Sequence, residues 1–329
     1  MIKVLVLERP LASNTGWWRL YRPLQVIRKV YGGLFQFEFK LRDLTYADAW
    51  NADIVIQSRP GGGETPDDQA RLNEFVRMAK GMGAKFIVDM DDQVLLVPKG
   101  HALHSEYTKP GRVKVIEECL SLADQCWFST PAFLQTVDQK GLVMPNAVLP
   151  QELPAEPTPD AGIAAWRGHS IQMHDLATQG AEDWPAIRGA FSKWLWLGYM
   201  PPLPGAEDGE ELPYISMPDK YFALLQKTPI NALWKPMQNN SFNLHKSNIA
   251  WIEATLSGGY CLTNFAGDDL WLNASAKPLP HKDAVKLWER SREEIEQHYN
   301  LIYWGQRRAE AIASLVPHLI PQKPAHAGT

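Results

Sequence analysis

The chain has 329 residues, enough for two domains with proper cores, and its 45% hydrophobic and 21% charged residues are those of an ordinary globular protein. No apolar run approaches the ~20 residues of a membrane span and the start carries no signal-peptide layout, so the expected location is the cytoplasm. A net charge of −4 gives no overall attraction for nucleic acid, and three cysteines without a CxxC pair fit buried thiols in a reducing compartment.

In the first half, short runs rich in Val, Ile and Phe predict strands at Lys3 to Leu7, Leu34 to Lys40, Asp53 to Gln57, Lys85 to Asp89 and Gln125 to Ser129. Amphipathic stretches separate them. The clearest is DDQARLNEFVRMAKGM over 67–82, with acidic residues at its start and a basic residue and Gly at its end. This alternation predicts a parallel, doubly wound sheet. The Pro-rich stretch VLPQELPAEPTPDAG at 148–162 breaks the pattern and reads as an interdomain linker, giving expected domains of 1–150 and 151–316. Further runs at Ile163 to Arg167, Trp194 to Tyr199, Tyr214 to Ser216, Ile230 to Trp234 and Tyr260 to Thr263 predict a second sheet. Helix returns over about Asp283 to Val316, and 317–329 reads as a loose tail.

The segment QNNSFNLHKSNIAWIEATLSGGYCLTN, Gln238 to Asn264, joins a polar loop, a helix start and an acidic residue. Ser247 or Asn248 can cap a helix whose Ile249, Ile252 and Leu256 share a face, and which stops at Gly258 and Gly259. Free N–H groups at such a start attract phosphate, Lys246 adds a full positive charge, and Glu253 lies two turns further on. The bland alternative is a surface helix with a solvated Lys and Glu.

Other clusters admit more than one reading. Asp89, Asp91 and Asp92 in FIVDMDDQVLLVP can bind a divalent cation, cap a turn, or serve as the nucleophile loop of a DxD-type phosphatase, with Asp268 and Asp269 as later partners. In AWRGHSIQMHDL, His169, His174 and Asp175 offer zinc ligands or helix caps, although H-x4-H is not the same-face spacing of a helical metal pair. Ser129, Thr130 and Asn146 read as turn and capping residues. A lone Gly16 without G-x-G-x-x-G does not argue for a dinucleotide cofactor, and no G-x-S-x-G appears.

Taken together, the Lys246–Glu253 segment, the Arg167–Gly168–His174 element, the "DMDD" loop and the "STP" and "PN" pairs at 129–131 and 145–146 resemble the GT-B glycosyltransferases, in the group-1 or family-4-like branch. The chain departs from the usual pair of glutamates seven residues apart, which matches a short type often encoded by tailed bacteriophages. The resemblance implies two Rossmann-like domains facing across a cleft, a terminal helix (Tyr299 to Ala311) returning to the first domain, and transfer from a nucleoside-diphosphate sugar, UDP-linked by preference, with retention of configuration. It implies no tightly bound cofactor and no metal. Arg167, Gly168, His174, Asn243, Lys246, Ser247 and Glu253 would bind the donor, Lys246 and Arg167 stabilising the leaving diphosphate and Glu253 orienting the ribose. Asp89 or Asp91 would take the acceptor proton.

The loop after the first strand, carrying Gly16, Trp17, Arg19 and Arg22, would face the acceptor. The phage-type resemblance implies double-stranded DNA with a 5-hydroxymethylated pyrimidine as that acceptor, gripped by a local patch of Arg19, Arg22, Arg28 and Lys29 with Trp17 and Trp18 for stacking. The alternatives are a cell-envelope saccharide acceptor, the DxD phosphatase and a non-enzymatic nucleotide-binding module.

Overall fold

A computed structural model describes residues 1–8, 14–61, 65–137, 141–169, 172–265 and 274–320. Asp268 and Asp269, and residues 321–329 of the expected tail, lie outside them.

The first half builds one parallel sheet from β1 (Ile2–Leu7), β2 (Phe35–Phe39), β3 (Ile54–Ser58), β4 (Lys85–Met90), β5 (Gln125–Phe128) and β6 (Gly141–Val143), in the order β2-β1-β3-β4-β5-β6. Alternation sorts its side chains to two covered faces. Leu5 and Leu7 join a core with Val55, Phe86 and the Pro66–Gly81 helix, while Val4 and Val6 join Ile54, Ile56 and the Arg22–Val30 helix on the other.

The second half repeats the plan with β7 (Ile163–Arg167), β8 (Lys193–Gly198), β9 (Glu210–Pro213), β10 (Ala232–Trp234), β11 (Tyr260–Leu262) and β12 (Ala274–Ser275), in the order β12-β11-β10-β7-β8-β9. One face packs Ala165, Leu195 and Leu233 on the Ile249–Leu256 helix. The other is a tryptophan layer: Trp184, Trp194, Trp196 and Trp234 touch at ring-centroid distances of 4.8 to 5.7 Å, which accounts for several of the thirteen tryptophans as core. This is the two-sheet GT-B arrangement expected from the sequence.

Two segments tie the halves together. The Trp17–Tyr21 turn carries Trp17 and Trp18 onto Phe222, with ring centroids 5.6 and 5.9 Å apart, inside the second half's core. At the other end, the His281–His298 helix lies on the second sheet through Leu287, Trp288 and Ile295, and the chain bridges at Val148 and Asn300. The Leu301–Leu315 helix then returns to the first, where Ala309 and Ile312 enter its core and Gly305 lies against Val26 and Pro23. The return begins at Leu301 rather than Tyr299, because Tyr299 and Asn300 break the helical run.

Differences from the sequence expectation have physical causes. The strand expected at Tyr214 to Ser216 is instead β9, an exposed edge strand without an apolar run to mark it, and Tyr214 is freed for the cleft. The strands β6 and β12, of three and two residues, are too short to leave a pattern. The Pro-rich stretch is not a free spacer: Leu153 is buried, and the Thr158 hydroxyl donates to the Ser257 carbonyl at 2.6 Å.

Asn248 takes the N-cap position of the Ile249–Leu256 helix but its side chain makes no capping bond, and the helix is buried on every side from Ala250 to Leu256, so the bland reading of a surface helix fails. At its far end Gly259 packs so closely on the Ile230 and Asn231 carbonyls that a Cβ has no room. Gly259→Ala should therefore lower stability by about 2 kcal/mol or more, whereas Gly32→Ala, with nothing within 4 Å, should stay within about 0.5 kcal/mol. Denaturant midpoints check the pair, and equal midpoints would contradict the packing.

Candidate active site

Parallel sheets collect all their strand C-termini on one edge, and where strand order reverses, neighbouring loops diverge and leave a crevice. Here the reversals fall between β1 and β3 and between β7 and β10. The two crevices face one another across a cleft of about 250 Å³. Its walls are strand-end residues: Arg59 after β3, Asp91 and Asp92 after β4, Arg167 and His169 at and after β7, Tyr214 after β9 and Lys235 after β10, with Lys246, Ser247 and Ile249 entering beside the buried helix.

On the second-sheet side the cations converge. Arg167 Nη1 donates to Glu253 Oε1 at 2.6 Å and its guanidinium stacks over Tyr221 at 4.5 Å. Lys246 Nζ lies 3.7 Å from Asp175 Oδ2 and 4.7 Å from the Phe242 ring. Asp175 is buried and accepts from Asn243 Nδ2 at 3.0 Å and the Gln238 N–H at 3.2 Å, so one carboxylate shapes the polar loop and places Lys246. Burial, with the Lys246 charge beside it, pulls Lys235 down to about 8. The first turn of a helix has N–H groups without intrahelical partners, and Ile249 and Ala250 bring that end to the cleft. The arrangement is chemically a cradle for a diphosphate.

On the first-sheet side the charges are paired. Arg59 forks onto Asp91, at 2.6 Å through Nε and again through Nη2, and reaches Asp92 at 3.0 Å. Arg59 holds φ at 40°, a conformation costing a non-glycine residue about 1–3 kcal/mol. The turn is fixed from behind by Gln69, which accepts the Gly61 N–H at 2.8 Å, and by Arg112, which donates to the Gly61 carbonyl. Burial pushes the Asp91 carboxyl up, but Arg59 more than offsets it and holds it below the usual range. Asp92 is raised, by burial and by the neighbouring Asp91 charge, which makes it the more basic of the two. His101 also lines the cleft, and burial brings it down to about 4. Its Nδ1 accepts the Leu103 N–H at 3.1 Å, so a neutral ring carries its proton on Nε2.

Of the residues expected to bind the donor, Arg167, Lys246 and Ser247 line the cleft. The others do not. Glu253 is 1% exposed behind Arg167, with one oxygen accepting from Arg167 and the other near the Tyr221 hydroxyl at 3.4 Å. Asn243 is buried on Asp175. His174 packs on Gly100 and His101 across the domain gap, and Gly168 lies where a Cβ would meet the Tyr199 carbonyl at 2.8 Å, which is a packing demand.

The acceptor and base expectations need more correction. Asp89 is sealed, with both oxygens taken by Arg19 at 3.1 and 2.6 Å, so it is neither a general base nor a phosphatase nucleophile. Asp91 reaches the cleft but is committed to Arg59 and to the Thr15 hydroxyl at 3.2 Å. Arg19 does reach the cleft wall, yet each of its three nitrogens already donates, to Asp89 or to the Met144 carbonyl. Trp17 and Arg22 are interdomain core, Arg22 lying 4.8 Å over Trp17 and paired with Glu152. Gly16 packs on the Glu8 side chain, where a Cβ would come within 2.7 Å. With Arg19 and Arg22 buried, the proposed DNA-gripping patch keeps only Arg28 and Lys29 on the surface. His169, His174 and Asp175 point to three different surroundings, and no group able to hold a metal occurs among the described residues.

Sequence reasoning passed over Lys235, Arg59 and His101. The first two directly follow or nearly follow an apolar strand, which is the same signal that singled out Arg167.

No family profile and no curated protein matches the chain. Among solved structures, a variant of S. aureus TarM in complex with fondaparinux, α-GlcNAc-glycerol and UDP is similar at a TM-score of 0.51 and 13% identity, covering 81% of this chain and 55% of TarM. The chain thus spans about half the length of that protein. An α,α-trehalose-phosphate synthase (UDP-forming) from Burkholderia xenovorans gives 0.49 at 9% identity over 92% of this chain and 82% of that one, and the glycosyltransferase SnogD from Streptomyces nogalater gives 0.41 at 12% over 94% and 100%. At these identities the likeness is one of fold.

Lys235 supplies a test of the cradle. Its folded value of about 8 lies below the ordinary lysine value of 10.5, so between the two the unfolded chain binds more protons and stability rises with pH. Below about pH 8 that contribution is a constant penalty. Lys235→Met should flatten the rise and raise the denaturation midpoint at neutral pH; an unchanged pH slope would mean that Lys235 is not crowded by Lys246 and Arg167.

Proposed function

We propose that the protein is a glycosyltransferase that moves a sugar from a nucleoside-diphosphate sugar, UDP-linked, to a small neutral hydroxyl acceptor. The observation that carries this reading is the convergence of Arg167, Lys235 and Lys246 on a buried helix start at the β7–β10 reversal. Three cations and free N–H groups there can offset the charge that develops on a departing diphosphate. A protein of like fold was solved with UDP, which supports the choice of nucleotide.

In the mechanism, the diphosphate rests on the second-sheet cations and the sugar projects toward the first sheet. Asp92 accepts a hydrogen bond from the acceptor hydroxyl, its raised basicity suiting it to that task. His101 donates from Nε2 to a sugar oxygen. The bond from the anomeric carbon to the phosphate oxygen breaks, the acceptor oxygen bonds to that carbon on the same face, and the leaving phosphate oxygen takes the acceptor's proton, so the anomeric configuration is retained. Proton NMR of the first product tests this: an inverted anomer would assign the proton to Asp92 instead.

Two carboxylates stand against one guanidinium at the cleft face of the first sheet, so a polyanionic acceptor meets repulsion there. A hydroxymethylated base in duplex DNA would have to be flipped into a cleft of about 250 Å³ without the help of Arg19 and Arg22. A saccharide or other neutral polyol fits better.

Lys246→Ala and Lys235→Ala should each weaken UDP binding about tenfold to hundredfold, the worth of a charged hydrogen bond. Arg28→Ala, on the outer surface, should leave it alone. Calorimetry with UDP decides: equal affinities for all three variants and the parent would remove the donor site from this cleft.

A further inference from the structure

We propose that a second cavity, where the first sheet meets the bend between the His281–His298 and Leu301–Leu315 helices, binds a small organic ammonium cation. Its volume is about 610 Å³, which suits a small molecule. The Pro145–Asn146 pair separates it from the cleft, Pro145 lining the one space and Asn146 the other. The sugar-transfer mechanism makes no use of it.

Three aromatic side chains and one carboxylate set the chemistry of this space. Tyr299, Tyr303 and Trp304 line it, and the Tyr303 and Trp304 rings stand at 81° with centroids 5.2 Å apart, so they form a corner. Tyr303 is 49% exposed, so its ring is not spent on the core. Trp304 donates its one N–H to the His298 carbonyl at 2.6 Å, and what it has left to offer is the ring. Ring faces carry the negative end of the aromatic quadrupole and attract cations.

Glu294 adds a full negative charge. It lines the same cavity half-buried and makes no hydrogen bond or ion pair to any described residue, although two neighbours on its helix are partnered: Glu293 accepts from Gln297 at 3.0 Å and Glu296 from Arg292 at 2.9 Å. A carboxylate drawn partly out of water without a counter-charge is poorly placed until a cation arrives. No Lys or Arg is among the described residues that line the cavity. Two of the other donors on its walls are already engaged, Ser129 with the Asp91 carbonyl at 2.8 Å and Gln297 with Glu293. An anion would find no opposite charge there, and a neutral sugar would find few free donors. A cation meets both an uncompensated carboxylate and ring faces, which decides the class of ligand.

Choline is the probe, and 3,3-dimethylbutan-1-ol, which has the same shape without the charge, is its control. Calorimetry on the whole chain should give a choline Kd of about 1 mM or tighter, with the alcohol bound at least about tenfold more weakly. Glu294→Gln keeps the volume and removes the charge, and it should weaken choline about tenfold; Tyr303→Leu removes one ring and should weaken it about threefold or more. Thermal midpoints should stay near the parent's, and if one variant fails to fold the other carries the comparison. Equal affinities for choline and the alcohol, an unchanged choline Kd in Glu294→Gln or Tyr303→Leu, or tighter binding of methyl α-glucoside than of choline overturns the assignment. So does a parent that gives no heat with choline. Binding of UDP in the cleft is measured separately, so either site can fail without the other.

Discussion

Charge pairing at strand ends organises this protein. A parallel sheet delivers its loops to one edge, and the two sheets meet edge to edge, so polar residues that would elsewhere be solvated are confined in a narrow space. Four cations there are each held by a carboxylate from another element: Arg19 by Asp89, Arg59 by Asp91 and Asp92, Arg167 by Glu253 and Lys246 by Asp175. An isolated buried charge would be costly, and removing one partner of such a pair typically costs ~3–5 kcal/mol. The pairs therefore fix where each cation can stand. They also divide the cleft, because the second sheet has one more cation, Lys235, and the first has one more carboxylate, Asp92.

The same segments that carry these groups also join the two halves. Trp17 and Trp18 lie two residues and one residue before Arg19 and pack on Phe222, with Arg22 stacked among them. On the other side His101 meets Phe242 at 5.4 Å and His174 at 5.9 Å, while the Thr130 hydroxyl reaches the His245 carbonyl at 3.5 Å. The cleft is thus strapped at both flanks, which explains its small volume. Aromatic residues whose sequence setting suggests substrate stacking serve instead as the adhesive between halves, since a Trp pair placed next to a buried ion pair is drawn into the same desolvated space.

The second sheet's side of the cleft is built on the β7–β10 reversal and the buried Ile249–Leu256 helix. Its helix is buried from Ala250 to Leu256 and locked by indole bonds, Trp251 Nε1 to Ser291 Oγ at 2.9 Å and Trp288 Nε1 to the Thr255 carbonyl at 3.0 Å. Lys246 and Ser247 enter the cleft from the end of this helix, so their positions inherit its order. The first sheet is held differently, through the Gln57–Gln69–Asn73 amide chain and the strained Arg59 turn. One wall is thus set by packing and the other by polar contacts.

The sequence by itself determined what depends on local pattern. Apolar runs gave ten strand positions, nine of them close to their place, because a strand buried on both faces needs such runs; β7, buried through its middle, is matched end to end, and only the exposed β9 was displaced. Thr130 is the helix cap expected, accepting the Phe133 N–H at 3.1 Å, since capping is decided within four residues. Arg167 and Lys246 were legible as cleft-lining residues because a strand end and a helix start are themselves local features. What only the tertiary structure decided is which partner each charge takes. Asp89 near the end of β4 and Asp91 just after it are two residues apart, yet one is sealed by Arg19 and the other faces the cleft with Arg59, and those arginines come from 70 and 32 residues away. Burial and pairing across such separations leave no trace in spacing, so the partners of Glu253 and Arg22 could be read only once the two sheets were set against each other.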